Sequence, residues 1–130
     1  MITPQTTALY SDLAKELGLP AFEPDAAGGI QLTVGTDTAV FVFGQSDGFL
    51  LLAVPAVALP KEPDYATTQW LLHRNFYDSD LAPFRIATDA NGTILLWGRV
   101  PVEGLTGASL AGLVDAVASE AKRIRDEVEG

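Results

Sequence analysis

Residues 64–84, DYATTQWLLHRNFYDSDLAPF, decide how the rest of the chain has to be arranged. Pro63 cannot prolong the segment before it, and Asp64 can cap a first helical turn by accepting backbone N–H bonds. The pattern predicts a helix of about three turns. Its apolar residues do not keep to one stripe. Trp70, Leu71 and Leu72 are consecutive and spread round most of the circumference, where a lone surface helix keeps one side polar. Such a helix needs cover on two sides, and in so small a chain the second cover can be another chain. Asn75-Phe76 and Asp78-Ser79-Asp80 end it, and Pro83-Phe84 opens an extended segment. The expectation is a buried connecting helix that also serves as an interface.

On the N-terminal side, residues 4–17 read as a first helix: Pro4 suits an early position, and Leu9, Leu13 and Leu17 recur every fourth residue. Gly18 stops it, and a loop runs to Gly28-Gly29. From Ile30 the period becomes two. Strands are expected over 30–34, 39–43 and 49–54, joined by turns short enough for an antiparallel meander. The second and third, AVFVF and FLLLAV, are apolar on both faces, more than a sheet with one wet face requires. Residues 55–63 read as a proline-punctuated linker.

On the C-terminal side, 84–88 and 93–100 form a hairpin across Asp89-Ala90-Asn91-Gly92, since Asn-Gly tolerates the positive φ such turns need. A last helix over 105–128 carries Leu110, Leu113, Val114, Val117, Ala121 and Ile124 at helical spacing. Thr106 is its expected N-cap, with Lys122, Arg123 and Arg125 opposing the helix dipole near its end. The order α-β-β-β-α-β-β-α describes an α+β domain with two antiparallel strand groups joined by the central helix.

One domain is expected over residues 1–130. Eight Lys and Arg against 17 Asp and Glu give a net charge of -9, which argues against nucleic acid and anionic membrane as partners and favours a basic one. There is no cysteine, so neither disulfides nor thiolate metal sites arise. The N-terminus has neither the basic start nor the apolar core of a signal peptide, and the greasiest run, 49–60, falls well short of the ~20 residues of a membrane span. A soluble cytoplasmic protein is expected.

The motifs that could carry chemistry are weak. Gly44-Gln45-Ser46-Asp47-Gly48 matches the G-x-S-x-G nucleophile elbow, yet a strand follows where a helix should, and the one histidine is His73. It reads as a hairpin turn. His73 alone is a poor metal site and suits the C-terminal end of a helix dipole. Asp78-Ser79-Asp80 and Asp89-Ala90-Asn91-Gly92 echo parts of a calcium loop without its further ligands. No glycine pattern forms a phosphate cradle, and no spacing selects a carboxylate pair. No catalytic, cofactor or metal site is expected. What stands out is surplus apolar surface: the second sheet face, the all-round helix and Trp97. Large exposed apolar patches mark interaction sites.

Three segments carry a resemblance. Leu71-Leu72-His73-Arg74-Asn75-Phe76 resembles the end of the central helix in the class I chaperones of bacterial type III secretion (the Tir-chaperone-like family), and Leu81-Ala82-Pro83-Phe84-Arg85-Ile86-Ala87-Thr88 resembles the strand after it. Ile94-Leu95-Leu96-Trp97-Gly98-Arg99-Val100-Pro101 resembles that family's fifth strand, before its long final helix. The first half departs most freely, in the Gly28-Gly29 loop and the proline-rich stretch. The resemblance implies a cytoplasmic homodimer, built through the central helix and a neighbouring strand, that holds the extended N-terminal segment of a secreted effector without ATP. On it, Leu9, Leu13, Leu32, Val34, Phe41, Phe43, Leu50 and Leu52 are candidates for the effector groove, although one alternate set along each strand must be core. Trp70, Leu71, Phe76 and Phe84 are the candidates for the dimer interface. Two other readings stand beside it: an interaction or regulatory domain of the same fold with no secreted client, and an enzyme of unrecognised type.

Overall fold

The computed structural model describes residues 2–45, 47–76, 79, 81 and 83–130. Helix α1 (Pro4–Leu17) is followed by strands β1 (Gly29–Val34), β2 (Thr38–Gly44) and β3 (Phe49–Ala58). Then come helix α2 (Tyr65–Arg74), strands β4 (Arg85–Thr88) and β5 (Thr93–Pro101), and helix α3 (Gly107–Glu129). The expected element order holds. The expected division into two strand groups does not: the strands form one antiparallel sheet in the order β1-β2-β3-β5-β4. β5 inserts against β3 because both are long and apolar on both faces, so the hairpin gains most by closing onto the meander.

The ends of the elements follow from their sequences. Thr3 caps α1 by accepting the Thr6 N–H, and Gly18, with φ of 67°, closes it through bonds to the Ala14 and Lys15 carbonyls. Asp64 caps α2 and Thr106 caps α3, the latter in a reciprocal pair with Ser109. β3 does not stop at Pro55 but runs to Ala58. A bulge between Pro55 and Val57 absorbs the proline, which has no N–H to give the ladder. The bulge is held from α3: Arg125 Nε donates to the Ala56 carbonyl at 3.0 Å, and Nη1 pairs with Asp37 at 3.0 Å. Arg125 thus serves a tertiary clamp rather than the dipole at the helix end.

α1 and α3 pack together and cover one sheet face. That face carries Ile30 and Leu32, Val40 and Val42, Leu50, Leu52 and Val54, and Ile94, Leu96 and Val100, all buried. From the helices come Leu9, Leu13, Leu110, Val114, Val117, Ala121 and Ile124. Fully burying each such side chain contributes about 1.5–3 kcal/mol, so this layer carries the stability of the domain.

Candidate functional site

Among the described residues no helix lies over the opposite face. The strand registers run straight across it: Gln31 pairs with Phe41, Phe41 with Ala53, Ala53 with Trp97, and Trp97 with Arg85. Small Ala53 between Phe41 and Trp97 makes a trough with aromatic walls. The next row runs Gly29, Phe43, Leu51, Arg99, with the Phe41 and Phe43 rings nearly parallel at 6.4 Å. Phe41, Phe43, Phe49, Leu51 and Leu95 are half-buried and Trp97 is 38% exposed. At one end Arg99 lies 4.5 Å from the Phe49 ring and bonds Gln45 and Asp47, tying down the β2–β3 turn. Contiguous apolar surface of this kind is characteristic of interaction sites.

The two sheet edges differ. On β4, the Asn75 side chain behaves as a strand partner for Ile86: Nδ2 donates to the Ile86 carbonyl at 3.0 Å, and Oδ1 accepts the Ile86 N–H at 2.7 Å. This closes a short edge against further pairing. On β1, Gly29 turns its N–H and C=O away from β2, where both meet Asp25. By the antiparallel alternation, Gln31 and Thr33 point their backbone groups the same way, with no partner among the described residues. The β1 edge is therefore open for two residues, flanked by an apolar hollow lined by Leu17, Leu19, Val34 and Ala111.

α2 lies at the other end of the molecule. Among its residues Leu71 is buried, Trp70 is half-buried under the Arg74 guanidinium, and Arg74 bonds Glu120 of α3 at 2.6 Å. Tyr65 and Leu72 are 80% and 68% exposed, and Phe76, beyond the helix, stacks on His73 and is also exposed. Within one chain the helix is covered on one side only, and the side expected from the sequence to meet a second chain is exposed. Between Leu71, Leu72, Ile86 and Ile94 lies an apolar hollow of about 190 Å³.

The sequence candidates therefore separate. Leu9, Leu13, Leu50 and Leu52 sit in the core between helices and sheet, on the strand and helix faces that α1 and α3 occupy, and Leu32, also buried, lines the hollow beside the β1 edge. Phe41 and Phe43 stand on the open face, and half-buried Val34 lines the hollow beside the β1 edge. Of the interface candidates, Phe76 is exposed and Trp70 partly so. Leu71 packs into the core, and Phe84 is buried over Gly98, where a methyl group would meet its ring at 2.8 Å. Ala53, Leu51 and Leu95 on the open face, and exposed Leu72 on α2, are not among the site candidates that the sequence provides. Arg99 was the available signal: it alternates with Trp97 and Leu95, and an arginine on a strand marks the face that is not core.

Asp89 Oδ1 accepts the N–H groups of Asn91 and Thr93, so that segment is a closed turn. Ser46, Asp78 and Asp80 lie outside the described residues. Among the described residues no group of three His, Cys, Asp or Glu could hold a metal, and no helix is long and apolar enough to cross a membrane. On the covered side Tyr10 donates to the Gly28 carbonyl at 2.8 Å, and burial pushes its phenol above the ordinary value.

The same fold occurs in solved structures. A chain of the Yersinia pestis type III secretion chaperone SycH in complex with a stable fragment of YscM2 superposes with a TM-score of 0.78 at 21% identity, over 91% of this chain and 98% of that one. The ExoU–SpcU heterodimeric complex from the type III secretion system of Pseudomonas aeruginosa gives 0.78 at 20%, over 92% and 97%. The HopA1–SchA chaperone–effector complex gives 0.77 at 15%, over 94% of each chain. No curated protein matches this chain. The model of the Tir chaperone protein (CesT) family matches residues 9–125, nearly the whole sequence, and the chain belongs to that family.

Proposed function

We propose that the protein is a bacterial cytoplasmic secretion chaperone. As a homodimer of single-domain subunits it holds the N-terminal segment of a type III effector, keeping it soluble and export-competent without ATP hydrolysis. The observation that carries this reading is the uncovered sheet face, where Phe41, Ala53 and Trp97 form an apolar trough on a rigid scaffold. Apolar side chains of an unfolded segment fill such a trough, and its backbone adds to the open β1 edge. Family membership and the SchA–HopA1 complex of the same fold support it. Dimerisation through α2 is supported by exposed Leu72, Tyr65 and Phe76 beside an apolar hollow. Binding by burial alone needs no nucleotide.

The test is co-expression of the full chain with N-terminal segments of type III effectors from the same bacterium, with masses by light scattering. Two copies of this chain per segment, retained without nucleotide, are expected. Phe41→Asp should abolish retention while circular dichroism and thermal unfolding stay those of the wild type. Failure to retain any segment, or undiminished retention by Phe41→Asp and Trp97→Asp together, overturns the reading. Retention of a folded partner, with no unfolded segment, favours the interaction-domain alternative.

A further inference from the structure

Among the described residues the chain twice builds the same small assembly from its own side chains. Arg99 lies 4.5 Å from the centroid of the Phe49 ring and bonds the Asp47 carboxylate. Arg74 lies 5.8 Å from that of Trp70 and bonds Glu120 at 2.6 Å. In each, a ring face and a carboxylate hold one guanidinium, whose planar, weakly hydrated cation suits both partners at once.

A third set of rings and carboxylates has no cation among the described residues. The loop between α1 and β1 folds toward the open sheet face and leaves a cavity of about 420 Å³, lined by Phe22, Phe41 and Phe43 with Glu23 and Asp25. Asp25 is fixed in place. Its Oδ1 accepts the N–H groups of Ala27 and Gly29, each at 2.9 Å, and its own N–H donates to the Gly29 carbonyl. Oδ2 is left over and faces the Phe43 side: a methyl group on Gly29 would meet the Phe43 ring at 2.6 Å and Asp25 Oδ2 at 3.2 Å. The absence of a side chain at Gly29 is therefore what brings ring and carboxylate to one opening. Among the described residues, neither Glu23 nor Asp25 enters an ion pair.

We propose that this cavity is a subsite for an arginine side chain of the bound segment. The guanidinium lies against the Phe41 and Phe43 rings and is paired by Asp25 Oδ2 and Glu23. The inference rests on the reading that the open face holds a client segment, and it adds a charge requirement to an otherwise apolar recognition. The complementarity is also global, since the chain carries a net charge of -9. The cavity opens beside Gln31 on the free β1 edge, so a segment adding there has one side chain directed into it.

Two short synthetic peptides of alternating leucines, identical except for a central arginine or its neutral isostere citrulline, are titrated into the full chain by calorimetry. The arginine peptide should bind about tenfold more tightly, an advantage that shrinks with added salt. Asp25→Asn keeps the Oδ1 acceptor and hence the loop. Together with Glu23→Gln it should remove the advantage without affecting citrulline-peptide binding, whereas Glu129→Gln, at the end of α3, should leave it intact. Equal binding of the two peptides to the wild type overturns the subsite and leaves the open-face reading standing. An advantage that survives the double substitution overturns it as well, by placing the cation elsewhere. If neither peptide binds, the open-face reading falls and the subsite with it.

Discussion

The two faces of the sheet are built from the same strands with nearly the same residues, and they meet different fates. Leu50 and Leu52 have no exposure under α1 and α3, whereas Leu51, between them, lies half-buried on a face that no described helix covers. A strand that needed one dry face would place a polar residue at 51. Keeping leucine, phenylalanine and tryptophan there forgoes the hydration that makes a sheet soluble, and each gains about 1.5–3 kcal/mol only when something else buries it. The covered face explains why the chain folds. The open face has no such explanation among the described residues, and for that reason the proposed client site is placed there.

The sharpest way to break this division is to truncate one leucine on each face. Leu50→Ala should lower the unfolding free energy by about 2–5 kcal/mol, because the helices cannot collapse into the vacated space. Leu51→Ala, one residue along, should change it by less than about 1 kcal/mol. Denaturant titrations of both variants decide the matter. Comparable losses would mean that the open face is part of the core.

The same logic divides α2 between neighbouring residues. Leu71→Asp buries a charge and should prevent folding, since an unpaired buried carboxylate costs several kcal/mol. Leu72→Asp should leave the fold intact and weaken self-association about 100-fold, of the order of a truncated interface anchor. Light scattering across a dilution series reads the outcome. A Leu72→Asp protein that dimerises like the wild type would remove the outer side of α2 from the interface.

The elements and their ends were legible in the sequence, whereas the division between the two faces was not. The caps at Asp64 and Thr106 and the stop at Gly18 are local devices, settled by hydrogen bonds within a turn, so one segment suffices to read them. The surplus of apolar residues in β2 and β3 is also a property of the strands themselves. Which alternate set faces the helices is not: it depends on where α1 and α3 dock, and Leu32, Leu50 and Leu52 are as apolar as Phe41 and Phe43. The pairing of β3 with β5 and the passage of β3 through Pro55 depend on contacts more than thirty residues apart in sequence. Asn75 was invisible for the same reason, since an asparagine after a helix reads as a cap until Ile86 is found beside it.

The contrast between the two edges gives a smaller effect. Asn75→Ala removes both bonds to Ile86 and should cost about 1–2 kcal/mol, allowing for water reaching the freed groups. More telling is amide exchange. The Ile86 N–H should lose protection in Asn75→Ala, whereas Gln31 and Thr33 on β1 should exchange rapidly in the wild type and become protected when a client segment binds. Protection of Gln31 and Thr33 in the free protein would show that the β1 edge is already occupied.

The smallest effect concerns the residue that ties the covered side to the open one. Tyr10 is buried beneath the sheet, and its hydroxyl fixes the Gly28 carbonyl, the step before the glycine that supports Asp25 and Phe43. Tyr10→Phe should cost about 1 kcal/mol near neutral pH. Burial raises the phenol's pKa, the Gly44 N–H nearby lowers it, and the Asp25 charge adds to the rise, with the net direction upward from 10.0. The unfolded chain then releases this proton before the folded one does. The contribution of Tyr10 is full below pH 10 and is lost as pH rises past 10 through the folded value. The phenylalanine variant has no such proton, so the gap between the two proteins should narrow at alkaline pH. Paired denaturant titrations at neutral pH and at about pH 11 measure it. A gap that stays constant would mean that the hydroxyl is not shielded, and that the loop under the open face is held by something other than Tyr10.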